Sequence, residues 1–205
     1  MHISEGVLSL PVLGGGAVFA LAGLGWSLKK LPWQHIMSVG ILSAAFFVAS
    51  LIHIPIGPGS AHLIMNGLLG AVLGWAAFPA ITVALFLQAL LFQFGGLTSL
   101  GVNVCIMAWP AVICGLFFRS FFSTGASGAK TSAKMAAFAC GFFSVCCSAA
   151  LCALALGLSG EAFITTAWAI ALAHTPIMVI EGLLTMLVVG YVRKTLPELL
   201  RLEDC

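Results

Sequence analysis

The chain has 205 residues, of which 61% are hydrophobic and 7% are charged. A soluble domain carries roughly 25% charged residues, so the composition excludes a water-soluble protein and predicts one integral membrane domain over residues 1–205. The net charge of +2 is too small to suggest a nucleic-acid partner.

Apolar stretches of about 20 residues, the length that crosses a bilayer, predict an all-α protein with about seven membrane-spanning helices. A loop over residues 1–8 precedes the first helix, and a tail over residues 191–205 follows the last. Pro176 cannot donate a backbone hydrogen bond, so it is expected to separate the last span from a half-helix over residues 162–173. Pro79 is expected to end the third span. The predicted spans cover residues 9–28, 36–53, 62–78, 80–94, 104–122, 135–158 and 176–190.

The basic residues predict the orientation of these helices. With the N-terminus outside and the tail in the cytoplasm, every lysine and arginine lies at a cytoplasmic helix end or in the tail, as the positive-inside rule requires. We therefore expect a multi-pass protein of the plasma (inner) membrane whose loops 1–8, 54–61 and 95–103 face outward. The first span is not a cleavable signal peptide, because its basic residues follow the apolar run. The eight basic residues are Lys29, Lys30, Arg119, Lys130, Lys134, Arg193, Lys194 and Arg201.

The seven cysteines at first suggest a metal site. They show no Cys-x-x-Cys spacing, and six of them fall inside apolar stretches. Buried free cysteine behaves as a small hydrophobic residue, so these side chains are interpreted as part of the core.

His2 gives the outer loop a possible metal chelate. The terminal amine of Met1, the peptide nitrogen of His2 and one imidazole nitrogen can close fused chelate rings on one ion, and His62 is the best candidate for a fourth ligand. A square-planar nitrogen set favours Cu(II) or Ni(II). The alternative interpretation is that His2 is a solvated terminal residue and that His62 begins a helix at the depth of the lipid headgroups.

Other polar residues in the apolar stretches have more than one interpretation. His53 ends the second span and could support the ligands or replace one of them. His174 precedes the break at Pro176 and is interpreted as a partner for the backbone groups that the break leaves unbonded. Glu181 is an ionisable residue inside a span, which suggests a function, but a hydrogen bond between helices is the favoured interpretation. The amides predicted to join helices are Asn66, Gln88 and Gln93.

Four segments together resemble the cobalt/nickel substrate-capture subunit of energy-coupling-factor transporters, from residue 1 to about residue 193. They are MHISEGVLS, PIGPGSAHLIMNGLLG, QALLFQFGGLTSLGVN and HTPIMVIEGLLT. The resemblance implies that the N-terminal loop inserts into an outer-face pocket, where Met1, His2 and His62 bind the ion in near-planar geometry. It also places the glycine-rich loop of residues 95–103 beside the site. The residues expected around the ligands are His53, Ser60, Asn66, Thr98, Ser99 and Asn103.

The resemblance also implies partners in the lipid bilayer and in the cytoplasm. These are a transmembrane coupling subunit, a pair of cytoplasmic ATPases and a small accessory membrane subunit. The chain has no phosphate-binding Gly-x-x-x-x-Gly-Lys-Ser/Thr loop, so we expect it not to be an enzyme. Its ligand would be the transported Co(II) or Ni(II), with no prosthetic group. Ligand geometry favours nickel, whereas the MHISEGVLS branch of the family favours cobalt.

Two other functions remain open from the sequence. An intramembrane metalloenzyme would need an arrangement such as His-Glu-x-x-His on a helix, which this sequence lacks. A capture subunit for a small organic vitamin would use aromatic and polar pocket residues, and it would not require Met1 as the true terminus.

Overall fold

The computed structural model describes residues 2–31, 33–56, 59–123, 130–160, 163–196 and 200, and it leaves out the side chains of residues 53–62. Within these ranges the chain is almost entirely helical. Short 3-10 turns lie at Trp33–His35 and Gly74–Ala76. The longer elements are α1 (Leu10–Lys29), α2 (Ile36–Ala49), β1 (His53–Ile56), β2 (Gly59–His62), α3 (Asn66–Leu73), α4 (Ala77–Phe92), α5 (Leu100–Ser123), α6 (Lys130–Ser159), α7 (Ile164–Ala173) and α8 (Thr175–Thr195).

The helices have the length and composition of membrane spans. In the described part of the chain five segments qualify, namely Leu10–Lys29, Asn66–Phe92, Leu100–Ser120, Ser132–Ser159 and Thr175–Thr195, and α2 is a shorter apolar helix. Large apolar side chains such as Phe19 and Met37 are exposed on the outer helices α1 and α2, as expected of a surface that faces lipid. The prediction of a helical membrane protein is confirmed, while the count of seven spans and their orientation stay predictions.

A β-hairpin occupies a segment that the sequence analysis assigned to a loop and to helix ends. β1 and β2 pair antiparallel, with His53 opposite His62. The second helix therefore ends at Ala49 and the third begins at Asn66, so the predicted bounds at residues 53 and 62 were wrong. Proline and glycine between residues 55 and 59 disfavour a helix. Pairing of the two strands satisfies their backbone N–H and C=O groups with each other.

The segment Asn66–Phe92 reverses direction between α3 and α4. Along α3, Asn66 donates to the carbonyl of Met107 and Gly70 packs against the backbone of Ala111, so α3 runs in the same direction as α5. Along α4 the order is opposite, because Phe78 packs edge-on against Trp109 with ring centroids 5.3 Å apart and later residues approach the start of α5. The chain turns at Gly74–Ala76, where Gly74 has a φ of +56°.

Two prolines behave differently in this fold. Pro79 lies in the first turn of α4, which begins at Ala77, so the prediction that it ends a helix was wrong. A proline is tolerated there because the first N–H groups of a helix have no partner within it. Pro176 is the second residue of α8. Helix α7 ends at Ala173, and His174 lies between the two helices, which confirms the predicted break.

The core is centred on α3, whose eight residues are all buried. Gly67 packs against the backbone of Gly141 in α6, and Gly70 packs against α5. Small residues allow this close approach of helices inside a membrane. The start of α3 is therefore held between α5, α6 and α8, directly after the hairpin.

Candidate metal site

The N-terminal segment is held at the start of α5 through the main chain of Ile3. The N–H of Ile3 donates to Asn103 Oδ1 at 2.9 Å. Its carbonyl accepts from Asn103 Nδ2 at 3.1 Å and from Ser99 Oγ at 2.8 Å. Ile3 is buried, with 4% of its surface exposed. The residues on either side of Ile3 are thus fixed in position by one amide and one hydroxyl.

His2 contacts Gln88 of α4, with 2.9 Å between Nε2 of the ring and Oε1 of the amide. The side chain of Gln88 is fully buried, and its Nε2 donates to Ser50 Oγ at 2.7 Å. Ser50 in turn donates to the carbonyl of Phe47 at 2.7 Å. Because Oε1 of Gln88 can only accept, the ring carries its proton on Nε2, and Nδ1 is the unprotonated nitrogen.

Burial keeps the imidazole of His2 neutral. Desolvation is the main effect that lowers the pKa of His2 to about 3, and the positive charge of the chain terminus adds to it. The hydrogen bond with Gln88 acts in the opposite direction. Neutral imidazole is the form that binds metal ions, so protons do not compete for this ring at neutral pH.

The glycine-rich loop between α4 and α5 fits around the N-terminal segment. Gly95 has a φ of +80°, and a Cβ atom there would lie 2.5 Å from Asn103 Nδ2 and 3.5 Å from the Cβ of His2. The ring of Phe94 lies beside His2, with 5.9 Å between the ring centroids. Only glycine combines this backbone conformation with so close an approach.

Glu5 closes the other side of this loop. Its Oε1 accepts from the N–H of Thr98 at 3.0 Å, and its side chain packs against Gly96, whose φ is +100°. The hydrogen bonds from Thr98 are the main reason that the pKa of Glu5 lies below its ordinary value. The charged form of Glu5 therefore favours the closed arrangement of the segment and the loop.

The sequence-predicted site residues fall into three groups. Ser99 and Asn103 hold Ile3 next to His2, and Thr98 binds Glu5. Asn66 lies elsewhere, since its Nδ2 donates to Ser148 Oγ at 2.8 Å and to the carbonyl of Met107 between the helices. The residues that fall outside the described positions or side chains are Met1, His53, Ser60 and His62.

Two contacts were not predicted from the sequence. Gln88 was interpreted as a link between helices, and its contact with His2 requires knowing that the N-terminal segment folds back over α4. Glu181 was expected to bond another helix, but its Oε1 accepts from the N–H groups of Ile64 and Met65 at the link between β2 and α3. Among the side chains that the structure describes, no three His, Cys, Asp or Glu residues are grouped as metal ligands.

Comparison with known proteins gives a consistent set of relatives. The family model described as the cobalt uptake substrate-specific transmembrane region matches residues 2–199. A protein of Haemophilus influenzae with the provisional name of a metal transport protein is 39% identical, over 98% of this chain and 97% of its own length. The cobalt transport protein CbiM of Sorangium cellulosum is 32% identical, over 98% of this chain and 94% of its own length.

A solved structure has the same fold. The crystal structure of a transition metal transporter superposes with a TM-score of 0.81 and 29% sequence identity, and the match covers 95% of this chain and 93% of that one. A truncated transition metal transporter gives the same TM-score at 28% identity, over 95% of this chain and 99% of its own.

Proposed function

Since the chain belongs to the cobalt uptake substrate-specific transmembrane family, a component of cobalt and nickel transport, we propose that it is the substrate-binding membrane subunit of an energy-coupling-factor importer. Its cargo is Co(II) or Ni(II). The terminal amine of Met1, the peptide nitrogen and imidazole of His2, and the side chain of His62 bind the ion.

The contact between Nε2 of His2 and Oε1 of Gln88 is the observation that carries this proposal. A chelate through the peptide nitrogen of a histidine closes its second ring through Nδ1, because Nε2 is too far along the ring. The contact with Gln88 assigns the proton to Nε2 and leaves Nδ1 unprotonated. Such hydrogen bonds to the distal nitrogen orient metal-binding histidines in general.

The arrangement of Ile3 supports the same ligand set. A peptide nitrogen binds a metal only after losing its proton, and a backbone already held near the bound geometry reduces the entropy cost of closing the chelate. Asn103 and Ser99 hold the next residue along the chain by both its N–H and its carbonyl. The position of the His2 peptide is thereby limited before any ion arrives.

The distribution of charge supports a site on the outer side of the membrane. Lys29 ends α1, Lys134 lies near the start of α6, and Arg193 and Lys194 lie near the end of α8. These basic positions lie at the opposite end of the helices from His2, so the positive-inside rule favours an outward-facing metal site. In this orientation the turn at Gly74–Ala76 faces the cytoplasm, and α3 and α4 provide one inward and one outward segment.

The chain itself supplies capture, and partners supply the energy. We propose a transmembrane coupling subunit, a pair of cytoplasmic ATPases and a small accessory membrane subunit. The lack of a phosphate-binding loop in the sequence supports this division, because ATP hydrolysis then requires other chains.

Metal titration of the purified chain tests the proposal. One Ni(II) or Co(II) should bind per chain. One extra N-terminal residue should abolish binding, and His62→Ala, which keeps three of the four proposed ligands, should weaken it measurably. The ligand-field spectrum should report a near-planar nitrogen set for Ni(II). If the extended chain binds as tightly as the native one, the terminal amine is not a ligand and the proposed site is wrong.

A further inference from the structure

Glu181 lies in the middle of α8 and is completely buried. Its Oε1 accepts two main-chain hydrogen bonds, from Met65 N at 2.8 Å and from Ile64 N. Ile64 and Met65 join the β-hairpin to α3, so one side chain of α8 holds the point at which β2 passes into the core.

The two N–H groups that Glu181 accepts lie at a helix start. The first N–H groups of a helix have no partner within the helix, and Met65, the residue before α3, has an apolar side chain and a φ of +53°. The carboxyl group of Glu181, on another helix, bonds Met65 and the residue before it, so it fixes the chain just ahead of α3. One oxygen that accepts from two consecutive main-chain N–H groups fixes both residues relative to α8.

His62 is the last residue of β2, two positions before Ile64. The main chain between them is fixed on both sides, because Leu63 N donates to the carbonyl of Ile52 at 3.3 Å and Ile64 N donates to Glu181. The place of the His62 backbone is thus set by the hairpin register on one side and by Glu181 on the other.

We propose that Glu181 is a positioning residue for the metal site, which sets the place of His62 through the N–H groups of Ile64 and Met65. This inference rests on the proposed function, in which His62 is a ligand. A positioning role for Glu181 can be told apart from a purely structural one. A positioning residue changes metal affinity only while the residue that it positions, here His62, is present.

Two variants of Glu181 separate shape from hydrogen bonding. Glu181→Gln keeps the size and one carbonyl oxygen that can accept from both N–H groups, whereas Glu181→Leu removes the acceptor. Thr185→Val is the matched control, because Thr185 lies one turn further along α8, is also fully buried, and its hydroxyl has no hydrogen-bond partner among the described residues.

The test is a double-mutant cycle with Glu181→Leu and His62→Ala, in which the purified full chain is titrated with Ni(II) and Co(II). Supporting groups around a metal ligand typically contribute about 10–100-fold in affinity, and we expect a loss of this size in Glu181→Leu. Glu181→Gln should retain most of the affinity, and Thr185→Val should retain all of it. The double variant should bind no more weakly than His62→Ala alone.

Three outcomes would overturn the inference. They are unchanged affinity in Glu181→Leu, a further loss when Glu181→Leu is added to His62→Ala, and an equal loss in Thr185→Val. If Glu181→Leu does not fold, Glu181→Met takes its place, because methionine is closer to glutamate in length and also lacks the oxygen acceptor. A loss of about 10–100-fold in affinity supports the inference, and native affinity overturns it. Failure of the proposed function is distinct, because His62→Ala would then bind metal as tightly as the native chain.

Discussion

The tautomer of His2 depends on a hydroxyl group that does not touch it. Ser50 donates to the carbonyl of Phe47, so its oxygen is available to accept from the amide of Gln88. The carbonyl oxygen of Gln88 must then face the ring of His2. Three side chains in contact, from the end of α2 through α4 to the N-terminal segment, thereby set which nitrogen of His2 is unprotonated and open to the proposed ion.

Replacement of Gln88 by leucine tests this line of contacts. Gln88→Leu keeps a side chain of similar size but removes the acceptor for the ring N–H, so the His2 ring can rotate or change tautomer. We expect the affinity for Ni(II) or Co(II) to fall by about 10–100-fold, measured by titration of the purified protein.

Gln93→Leu is the control for this substitution, because Gln93 ends the same helix and is exposed. It should bind metal as the native chain does, and both variants should unfold at similar temperatures. Native affinity in a well-folded Gln88→Leu would show that the contact with Gln88 does not matter for binding.

At the scale of elements, the N-terminal segment is attached to the loop before α5 by side chains and not by a sheet or helix. One attachment is Asn103 and Ser99 on Ile3, and the other is Glu5 on Thr98. The second attachment depends on charge. It therefore gives the segment a pH dependence that the first does not have.

The pKa of Glu5 lies below its ordinary value in the folded chain. The charged carboxylate therefore stabilises the attachment of the N-terminal segment fully at a pH above that ordinary value, and this stabilisation is lost as the pH falls through the folded pKa. In the metal-free protein, amide exchange of residues 3–8 should be slower in the native chain than in Glu5→Gln at neutral pH. The difference between the two proteins should disappear in acid, because the native carboxyl is then also uncharged. A difference that persists unchanged in acid would contradict this role of the charge.

At the same scale, the hairpin and α3 mark the limit of what the sequence could predict. The apolar runs of α1, α5, α6 and α8 are long enough to identify directly, and proline correctly marked the break before α8. The segment from Pro55 to Pro58 reads as a loop from its composition. That its two sides pair as strands is a contact across the turn, which no local pattern records.

Some residues of the candidate site could be predicted from the sequence and others could not. Ser99 and Asn103 follow a glycine-rich segment that marks the loop beside His2, so they could be anticipated. Gln88 and Glu181 could not be assigned, because each contacts a segment far away in sequence. Their polarity inside apolar helices signalled a role but not a partner.

At the scale of the whole molecule, the two ends of the helices carry different kinds of side chain. His2, Glu5 and the glycine-rich loop lie at one end, whereas Lys29, Lys30, Lys134, Arg193 and Lys194 lie at the other. Orientation in the membrane is therefore testable with one residue at each end.

Labelling with a membrane-impermeant thiol reagent tests the proposed orientation. In a background with the native cysteines replaced, Leu97→Cys should be labelled in intact cells, because Leu97 is exposed in the loop beside the candidate metal site. Thr195→Cys at the end of α8 should be labelled only after the membrane is opened. The reverse pattern would mean that the site faces the cytoplasm.

The short length of α3 has a consequence for how the protein is assembled. At about 1.5 Å per residue, its eight residues extend for about 12 Å, less than half of a hydrocarbon layer about 30 Å thick. In a newly made chain ending at Phe92, Glu181 is not yet present to accept from Ile64 and Met65 at the start of α3. Its partners in α5, α6 and α8 are synthesised later, so α3 must reach its final place after the helices that follow it, and insertion order and folding order differ in this protein.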